Sequence, residues 1–138
     1  MMKTSQQGIN LIKRFEGCRL EAYKCPAGKW TIGYGHTAGV KRGDKITQDM
    51  ADNWLRFDLK IFESHFEGIA PKGLNQNQFD ALVSFTYNCG VRNLKTLCKN
   101  RTLAQIGSAI LLYNKAGGKV LQGLVNRRKA EKELFEKV

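Results

Sequence analysis

The sequence predicts an α+β fold, with a small antiparallel β-sheet lobe near the N-terminus and a mainly helical lobe after it. The stretch 20–36 has the glycines and the central turn of a β-hairpin, whereas most of the chain after residue 47 has apolar residues at helical spacing. With 138 residues, 42% of them hydrophobic, the chain is expected to form one domain over residues 1–138. A cleft between the two lobes is the expected place for a functional site.

The first helix is predicted over residues 6–15, with Ser5 at its N-cap. Ile9 and Ile12 lie on its apolar face, and Glu16 follows on the same face one turn later. A carboxylate in such a place lowers the stability of the fold, because desolvation disfavours its charge, and its presence there therefore indicates a function. A carboxyl group in a partly apolar setting can keep its proton, as a general acid must when it protonates a glycosidic oxygen.

The hairpin is predicted from two strands, Leu20–Cys25 and Trp30–His36, joined by a turn. Side chains alternate along a strand, so one face of the second strand is almost bare and carries Thr31, Gly33 and Gly35. Glycines on a strand face permit close approach of a ligand or of another backbone. The hairpin therefore places Cys25 and Thr31 with Glu16 at the junction of the two lobes.

Four segments with helical spacing of apolar residues make up the predicted helical lobe. In chain order they begin at Thr47, at Asn75, at Thr102 and at Leu121. The second and third segments begin with capping-box pairs. The second ends at Gly90 and the third at the pair Gly117-Gly118. The second segment is apolar nearly all round. This second helix is therefore expected to be the central, buried one.

The chain is strongly basic, with 23 Lys and Arg against 12 Asp and Glu and a net charge of +11 at pH 7. Such a charge attracts polyanions, including nucleic acids and the anionic bacterial envelope. Nucleic acid is not expected as a partner, because the sequence has no zinc-finger spacing, no RNP-like strand and no recognition helix. The four cysteines fit no zinc pattern, so no metal site is predicted and free thiols are expected.

Three motifs follow one another along almost the whole chain: Phe15-Glu16-Gly17 with Tyr23 and Trp30–His36, then Gln78–Phe85 with Asn88 and Gly90, and finally Gly123–Arg128. In these motifs the chain resembles the phage-type lysozymes (endolysins) of glycoside hydrolase family 24. The resemblance implies a lysozyme-like fold with the active-site cleft between the lobes. It also implies a muramidase that hydrolyses the β-1,4 bond between N-acetylmuramic acid and N-acetylglucosamine in peptidoglycan, with inversion and no cofactor, in host-cell lysis by a phage or prophage.

The resemblance further implies that Glu16 is the general acid and that Thr31 holds the attacking water. Cys25 stands where many family members carry an aspartate and others a cysteine. Its role as base, water positioner or covalent nucleophile stays open, and an inert structural thiol is the alternative. Glu21 competes with Cys25 for the role of base.

Other residues are carried over from the family as binding or supporting groups. Arg127 is expected to pair with Glu16, and His36 is expected to form a structural ion pair with Asp58. The side chains expected to line the sugar cleft are Tyr23, Thr37, Tyr87 and Asn88.

Other functions remain open from the sequence. A lytic transglycosylase needs one catalytic acid and no activated water, so the missing second carboxylate favours it, while Thr31 weighs against it. A chitinase is a further enzymatic alternative. An inactive lysozyme-like binding module and a basic nucleic-acid-binding protein are the non-enzymatic alternatives, and the intact Glu16 and Thr31 argue against a decayed site.

The first 15 residues contain an apolar run too short for a signal peptide or a membrane span. We therefore expect a protein that has no stable membrane insertion and stays in the host-cell cytoplasm. A monomer is also expected. Its release to the cell wall would then need a pore made by another protein, such as a holin. Peptidoglycan and the anionic bacterial envelope are its expected partners.

Overall fold

Six helices and two short hairpins follow one another in the computed structural model, which describes residues 2–138. The elements are α1 (Gln6–Glu16), β1 (Arg19–Lys24), β2 (Trp30–Gly33), α2 (Gln48–Ser64), α3 (Gln76–Cys89), α4 (Val91–Cys98), α5 (Leu103–Ala109), a 3-10 turn (Ile110–Leu112), β3 (Lys115–Ala116), β4 (Lys119–Val120) and α6 (Gln122–Glu136). Among these residues, no helix combines the length and the apolar character needed to cross a membrane.

The elements form the two lobes that the sequence predicts. Strands β1 and β2 pair antiparallel, and α2 packs against β2. Helix α3 is the centre of the helical lobe, because α1, α2, α4 and α6 all pack against it. Every residue of α3 from Phe79 to Thr86 is buried, as its apolar pattern predicts. The α+β class is therefore confirmed.

The predicted helix starts at Asn75 and Thr102 are confirmed as complete capping boxes. Asn75 accepts a hydrogen bond from the backbone N–H of Gln78 and receives the Gln78 side chain on its own N–H, and Thr102 and Gln105 repeat this arrangement. These bonds satisfy N–H groups that would otherwise lack partners at a helix start. Local side-chain chemistry therefore determines where α3 and α5 begin.

The start of α1 is tied to α3 through Asp80. The backbone N–H of Ser5 donates to Oδ1 of Asp80 over 3.0 Å, and the Ser5 hydroxyl donates to the same carboxylate. Ser5 is the N-cap as predicted, although its hydroxyl bonds to α3 and not to its own helix. At Gly8 a Cβ would lie 2.8 Å from Cβ of Asp80, so only glycine allows the two helices to approach this closely. This anchoring directs the far end of α1, at Glu16, toward the cleft.

The second strand of the hairpin is shorter than the sequence predicts. It ends at Gly33 and not at His36, because Gly33 and Gly35 both have positive φ, +65° and +82°. The chain turns there, and His36 pairs back onto Ile32 across an isolated bridge. The predicted bare face of Thr31, Gly33 and Gly35 is therefore wrong beyond Gly33.

The predicted third helix of the lobe is also too long. It ends at Ala109, continues as a 3-10 turn to Leu112, and is followed by the β3–β4 hairpin. The pair Gly117-Gly118 forms the turn of this hairpin and does not end a helix. Two adjacent glycines suit a tight hairpin turn as well as a helix end, and here both have the positive φ of the hairpin turn.

Candidate active site

Glu16 is the last residue of α1, and its side chain is partly buried, with 19% of its surface exposed. Nη1 of Arg127, on α6, donates to Oε2 of Glu16 over 2.6 Å. The immediate partner of the carboxylate is thus a buried cation, at the end of a helix face that the sequence pattern predicted to be partly apolar. The expected pairing of Arg127 with Glu16 is present in the structure.

Arg127 is held in turn by a buried network. Nε of Arg127 donates to Oε2 of Glu131 over 3.2 Å, and Nη2 donates to the carbonyl of Ser84 over 3.1 Å. The Ser84 hydroxyl donates to Oε2 of Glu131 over 2.6 Å, and Nε of Arg128 lies 2.7 Å from Oε1 of Glu131. Burial raises the pKa of the fully buried Glu131, and the guanidiniums of Arg128 and Arg127 oppose that effect. The four charges therefore alternate in sign from Glu16 to Arg128.

Gly35 forms the wall of the site beside Glu16. A Cβ at this position would lie 3.1 Å from Oε1 of Glu16 and 3.7 Å from Cε1 of Tyr87. The Tyr87 hydroxyl donates to the carbonyl of Tyr34. Burial raises the pKa of Tyr87, and the negative charge of Glu16 adds to this effect, so the hydroxyl keeps its proton and remains a donor. Glycine at position 35 thus leaves room for the carboxylate.

Thr31 and Tyr23 lie directly opposite each other in the β1–β2 hairpin, so their side chains share one face. Thr31 is buried, and its hydroxyl donates to the carbonyl of Lys29 over 3.1 Å. Donation leaves the oxygen lone pairs available to accept a hydrogen bond from a water molecule. The guanidinium of Arg19 lies 4.6 Å from the centre of the Tyr23 ring.

Cys25 lies at the turn between the two strands. Its N–H donates to the carbonyl of Lys29 over 2.9 Å, and its carbonyl accepts from the N–H of Gly28 over 2.8 Å. Hydrogen bonding from the backbone at Lys29, with smaller contributions from Ala27 and the Thr31 side chain, lowers the pKa of the Cys25 thiol. This thiol is therefore more acidic than an ordinary one, and it lies beside Thr31.

His36 and Asp58 form an ion pair at one end of the cleft, with Nδ1 and Oδ2 2.7 Å apart. Nε2 of His36 is 3.0 Å from the carbonyl of Ala38, and the imidazole lies 4.8 Å from the ring of Trp54. Both His36 and Asp58 line a cavity of about 350 Å³, together with Gly35, Thr37, Phe62 and Tyr87. A pair predicted to be purely structural thus also borders the candidate sugar site.

The predicted site residues lie in four places. Glu16 contacts Arg127, Thr37 and Tyr87 share the cavity, and Thr31 lies with Cys25 and Tyr23 in the hairpin. Asn88 lies apart from the cavity, is exposed, and accepts a hydrogen bond from Nη2 of Arg128 over 2.9 Å. Within residues 2–138, no group of three or more His, Cys, Asp and Glu side chains is arranged to hold a metal ion.

Sequence reasoning missed Glu131 and Ser84, which hold Arg127. The spacing of Arg127, Arg128 and Glu131 was a usable signal, since residues three and four apart meet on a helix. Ser84 lies within the motif Gln78–Phe85, but the motif does not indicate its contact with Glu131, which comes from another helix, 47 residues away in the chain.

Residues 13–131 match the phage lysozyme family. An endolysin of Lactococcus phage c2 is 48% identical over 139 residues, which cover 99% of this chain and 61% of the phage protein. An endolysin of Acyrthosiphon pisum secondary endosymbiont phage 1 is 42% identical over 144 residues, covering 98% of this chain and 99% of that protein.

Among solved structures, the muramidase domain of SpmX from Asticaccaulis excentricus is similar to this chain with a TM-score of 0.91. Its sequence is 36% identical, and the match covers 100% of both chains. The lysozyme-like fold and the resemblance inferred from the three motifs are both confirmed. The chain spans about three fifths of the length of the Lactococcus phage endolysin, and it belongs to the phage lysozyme family.

Proposed function

We propose that this chain is a phage muramidase that hydrolyses the β-1,4 bond between N-acetylmuramic acid and N-acetylglucosamine in peptidoglycan. The observation that carries the proposal is the partly buried Glu16, which is paired with Arg127 and lies next to Gly35. The chain that carries this pair belongs to the phage lysozyme family. Residues 1–138 are proposed to form a single catalytic domain that acts as a monomer without a cofactor. The single domain is supported by one hydrophobic cluster that includes residues from both lobes.

In the proposed mechanism, the Glu16 carboxylate first takes up a proton from solvent and then gives it to the glycosidic oxygen as the bond to the sugar breaks. The carboxylate left behind is stabilised by the guanidinium of Arg127, which is 2.6 Å away and needs no rearrangement to act. Arg127 cannot turn away from Glu16 easily, because Glu131 and Ser84 hold its other nitrogens. The buried network thus preorganises the acid.

The attacking water is proposed to bind at Thr31, whose hydroxyl can accept a hydrogen bond while it donates to the carbonyl of Lys29. Cys25, with its lowered pKa, takes the proton from this water or orients it. Attack from the face opposite the leaving group gives inversion, which requires space for a water between acid and base. Glu21 is the competing base; it is exposed on β1, and its backbone pairs with that of Lys45 in an isolated β-bridge.

The proposal is tested by loss of turbidity of purified peptidoglycan with wild type and Glu16→Gln. The amide keeps the shape of the side chain but has no proton to transfer, so we expect activity to fall by at least about a hundredfold. The matched control is Glu133→Gln on the exposed side of α6, which should keep full activity. Near-wild-type turnover of Glu16→Gln, with an unchanged melting temperature, would remove Glu16 as the acid.

Thr31→Val tests the proposed water site. The valine keeps the size of the side chain and its strand preference but removes the hydroxyl. We expect kcat to fall strongly with little change in KM, since the water is used only in the reaction. A raised KM with unchanged kcat would make Thr31 a substrate-binding residue.

A lytic transglycosylase is the second candidate function, because a thiol stands at Cys25 where hydrolysis calls for a base. Such an enzyme uses the hydroxyl of the sugar itself in place of water. Mass spectrometry of the products decides between the two, since hydrolysis leaves a reducing N-acetylmuramic acid and transglycosylation leaves a 1,6-anhydro end. We expect reducing ends.

The anionic bacterial envelope is the proposed site of action, and release from the producing cell through a holin pore is proposed as the route. The net charge of +11 supports attraction to the envelope. Expression with and without a holin tests the route, and lysis only in its presence is the expected result.

A further inference from the structure

The 3-10 turn and the β3–β4 hairpin expose an unusual cluster of apolar side chains. Within residues 111–121, the exposed fractions are 69% for Leu112, 56% for Val120, 45% for Leu121 and 36% for Leu111. We propose that this segment, called the 111–121 edge, is a docking surface for an anionic lipid bilayer.

The backbone of the 111–121 edge is fixed to the protein interior. The Tyr113 ring packs edge-on against Phe85 at 4.9 Å, and the Tyr113 carbonyl accepts from Nη1 of Arg128 over 3.3 Å. The N–H of Leu121 donates to the carbonyl of Asn114 over 3.1 Å, which closes the base of the hairpin. The apolar side chains are thus presented outward from a braced turn, so that little ordering entropy would be lost on docking.

The charge around this edge has one sign. Residues 81–130 contain nine Lys and Arg and no Asp or Glu. Two of the nine, Arg127 and Arg128, are buried and paired with Glu16 and Glu131, which leaves seven basic residues of this stretch outside the core. Lys115 and Lys119 are exposed on the two strands of the hairpin itself. A groove of about 450 Å³ next to the edge is lined by Leu112 and by Arg101. These basic residues favour an anionic partner for this edge.

The apolar side chains distinguish a lipid surface from other polyanions. A nucleic acid or an anionic wall polymer is bound through its charges and gains nothing from Leu112 or Val120. A bilayer interface accepts apolar side chains at the level of the headgroups and attracts lysines through its anionic lipids. The 111–121 edge presents exposed apolar side chains and exposed lysines within one short segment. Such docking would be peripheral and reversible.

Vesicle sedimentation tests the proposal with vesicles of phosphatidylglycerol and phosphatidylcholine, compared with phosphatidylcholine alone. Removing two apolar contacts in Leu112→Ser/Val120→Ser should weaken partition onto the anionic vesicles by about tenfold or more. The matched control is Phe57→Ser/Ile61→Ser, which removes two exposed apolar side chains of α2 and keeps the same net charge. The control should change binding less than twofold. Equal binding by the two double variants would overturn the proposal in favour of general electrostatic attraction.

Charge and insertion are measured separately. Each of Lys115→Gln and Lys119→Gln should weaken binding to anionic vesicles by about fivefold. Fluorescence of Leu112→Trp should shift to the blue on anionic vesicles, and that of Phe57→Trp should not. The absence of a blue shift would overturn the proposal even if a serine variant failed to fold.

Two further measurements exclude other partners. Binding of wild type to DNA or to purified wall polymer, with no binding to vesicles, would show that the partner is not a bilayer. Hydrolysis of soluble peptidoglycan fragments should be unchanged in Leu112→Ser/Val120→Ser. A tenfold loss there would make the edge part of the substrate cleft and would overturn the proposal.

Discussion

Arg127 and Glu16 are 111 positions apart in the chain and form an ion pair of 2.6 Å. The pair joins the last helix to the end of the first, and Glu131 and Ser84 hold the guanidinium from its other side. The candidate acid therefore acquires its partner only when the two ends of the chain have packed onto α3. Stability and activity are coupled at this point of the fold.

Arg127→Met should destabilise the protein by about 3–5 kcal/mol, because it leaves the buried Glu131 with one cation fewer. Activity should also fall, since the Glu16 carboxylate loses its stabilising charge. Urea denaturation and peptidoglycan turbidity measure the two effects. The control is Lys129→Met, an exposed neighbour on α6, which should cost less than about 0.5 kcal/mol.

A double-mutant cycle shows whether the network acts as a unit. Arg127→Met and Glu131→Gln remove groups that contact each other, so the loss in the double variant should differ from the sum of the single losses by about 0.5–3 kcal/mol. Strict additivity would mean that Glu131 supports the fold without holding Arg127.

The sequence was sufficient for the parts of the fold that depend on local chemistry. The capping boxes at Asn75 and Thr102 determined two helix starts, and the apolar pattern of α3 predicted its central place. The sequence misled where one signal fits two structures. Glycines at 33 and 35 suit a bare strand face as well as a turn, and only their positive φ decides for the turn.

The candidate site was predictable in its residues more than in its contacts. The family motifs indicated Glu16, Thr31 and Arg127 before any distance was known. The position of Asn88 against Arg128 depends on how α3 and α6 pack, and so does the burial of Glu131. Side chains from distant segments come into contact through tertiary packing, and a local sequence pattern does not predict such contacts.

Gly35→Ala should reduce activity more than a Gly→Ala change that causes the same backbone strain elsewhere in the chain. The added Cβ would be 3.1 Å from Oε1 of Glu16, so the carboxylate must move from its position against Arg127. Gly28→Ala is the matched control, because Gly28 has the same φ of +82° and no atom lies within 4 Å of the place that its Cβ would take. Both variants should lose about 1–2 kcal/mol of stability, and only Gly35→Ala should lose most of its kcat. Equal activity of the two would separate Gly35 from the acid.

Asp58→Asn tests the His36 ion pair. The two side chains are mostly buried and 2.7 Å apart, so losing the charge should cost about 1–3 kcal/mol of stability. Because the pair is expected to support the fold, kcat on soluble fragments should stay within about threefold of wild type. A large fall in kcat without loss of stability would assign the pair to the reaction, in keeping with its place on the cavity wall.

Cys25 should be more reactive toward iodoacetamide than Cys89 and Cys98. The thiolate is the reacting form, and hydrogen bonding from the backbone at Lys29 lowers the pKa of Cys25 from its ordinary 9.0. Its alkylation rate should thus rise with pH around a midpoint below 9.0. Burial raises the pKa of Cys98 to about 11 and also raises that of Cys89, so both should remain unmodified over the same range. Peptide mass spectrometry at several pH values measures each site, and preferential alkylation of Cys98 would contradict this order.

The thiol at position 25 can be exchanged for the carboxylate that many family members carry. If Cys25 activates or orients water, Cys25→Asp should remain active, and its activity should extend to lower pH. A base must be deprotonated, and an aspartate ionises near pH 4 whereas the Cys25 thiol loses its proton at a higher pH even with its lowered pKa. Cys25→Ala should lose more activity than Cys25→Asp but less than Glu16→Gln, because Thr31 still holds the water.

The stereochemistry of the first product separates water activation from covalent catalysis at Cys25. Direct attack of water inverts the anomeric centre, whereas a thioglycosyl intermediate followed by hydrolysis retains it and gives an adduct that mass spectrometry can detect. NMR of the sugar formed in the first seconds should show inversion, with no adduct on Cys25. Alkylation of wild type should inhibit by filling the space beside Thr31, and Cys25→Asp should resist that inhibition. An inverted product together with an inactive but folded Cys25→Asp would transfer the role of base to Glu21, and Glu21→Gln would then be the inactive variant.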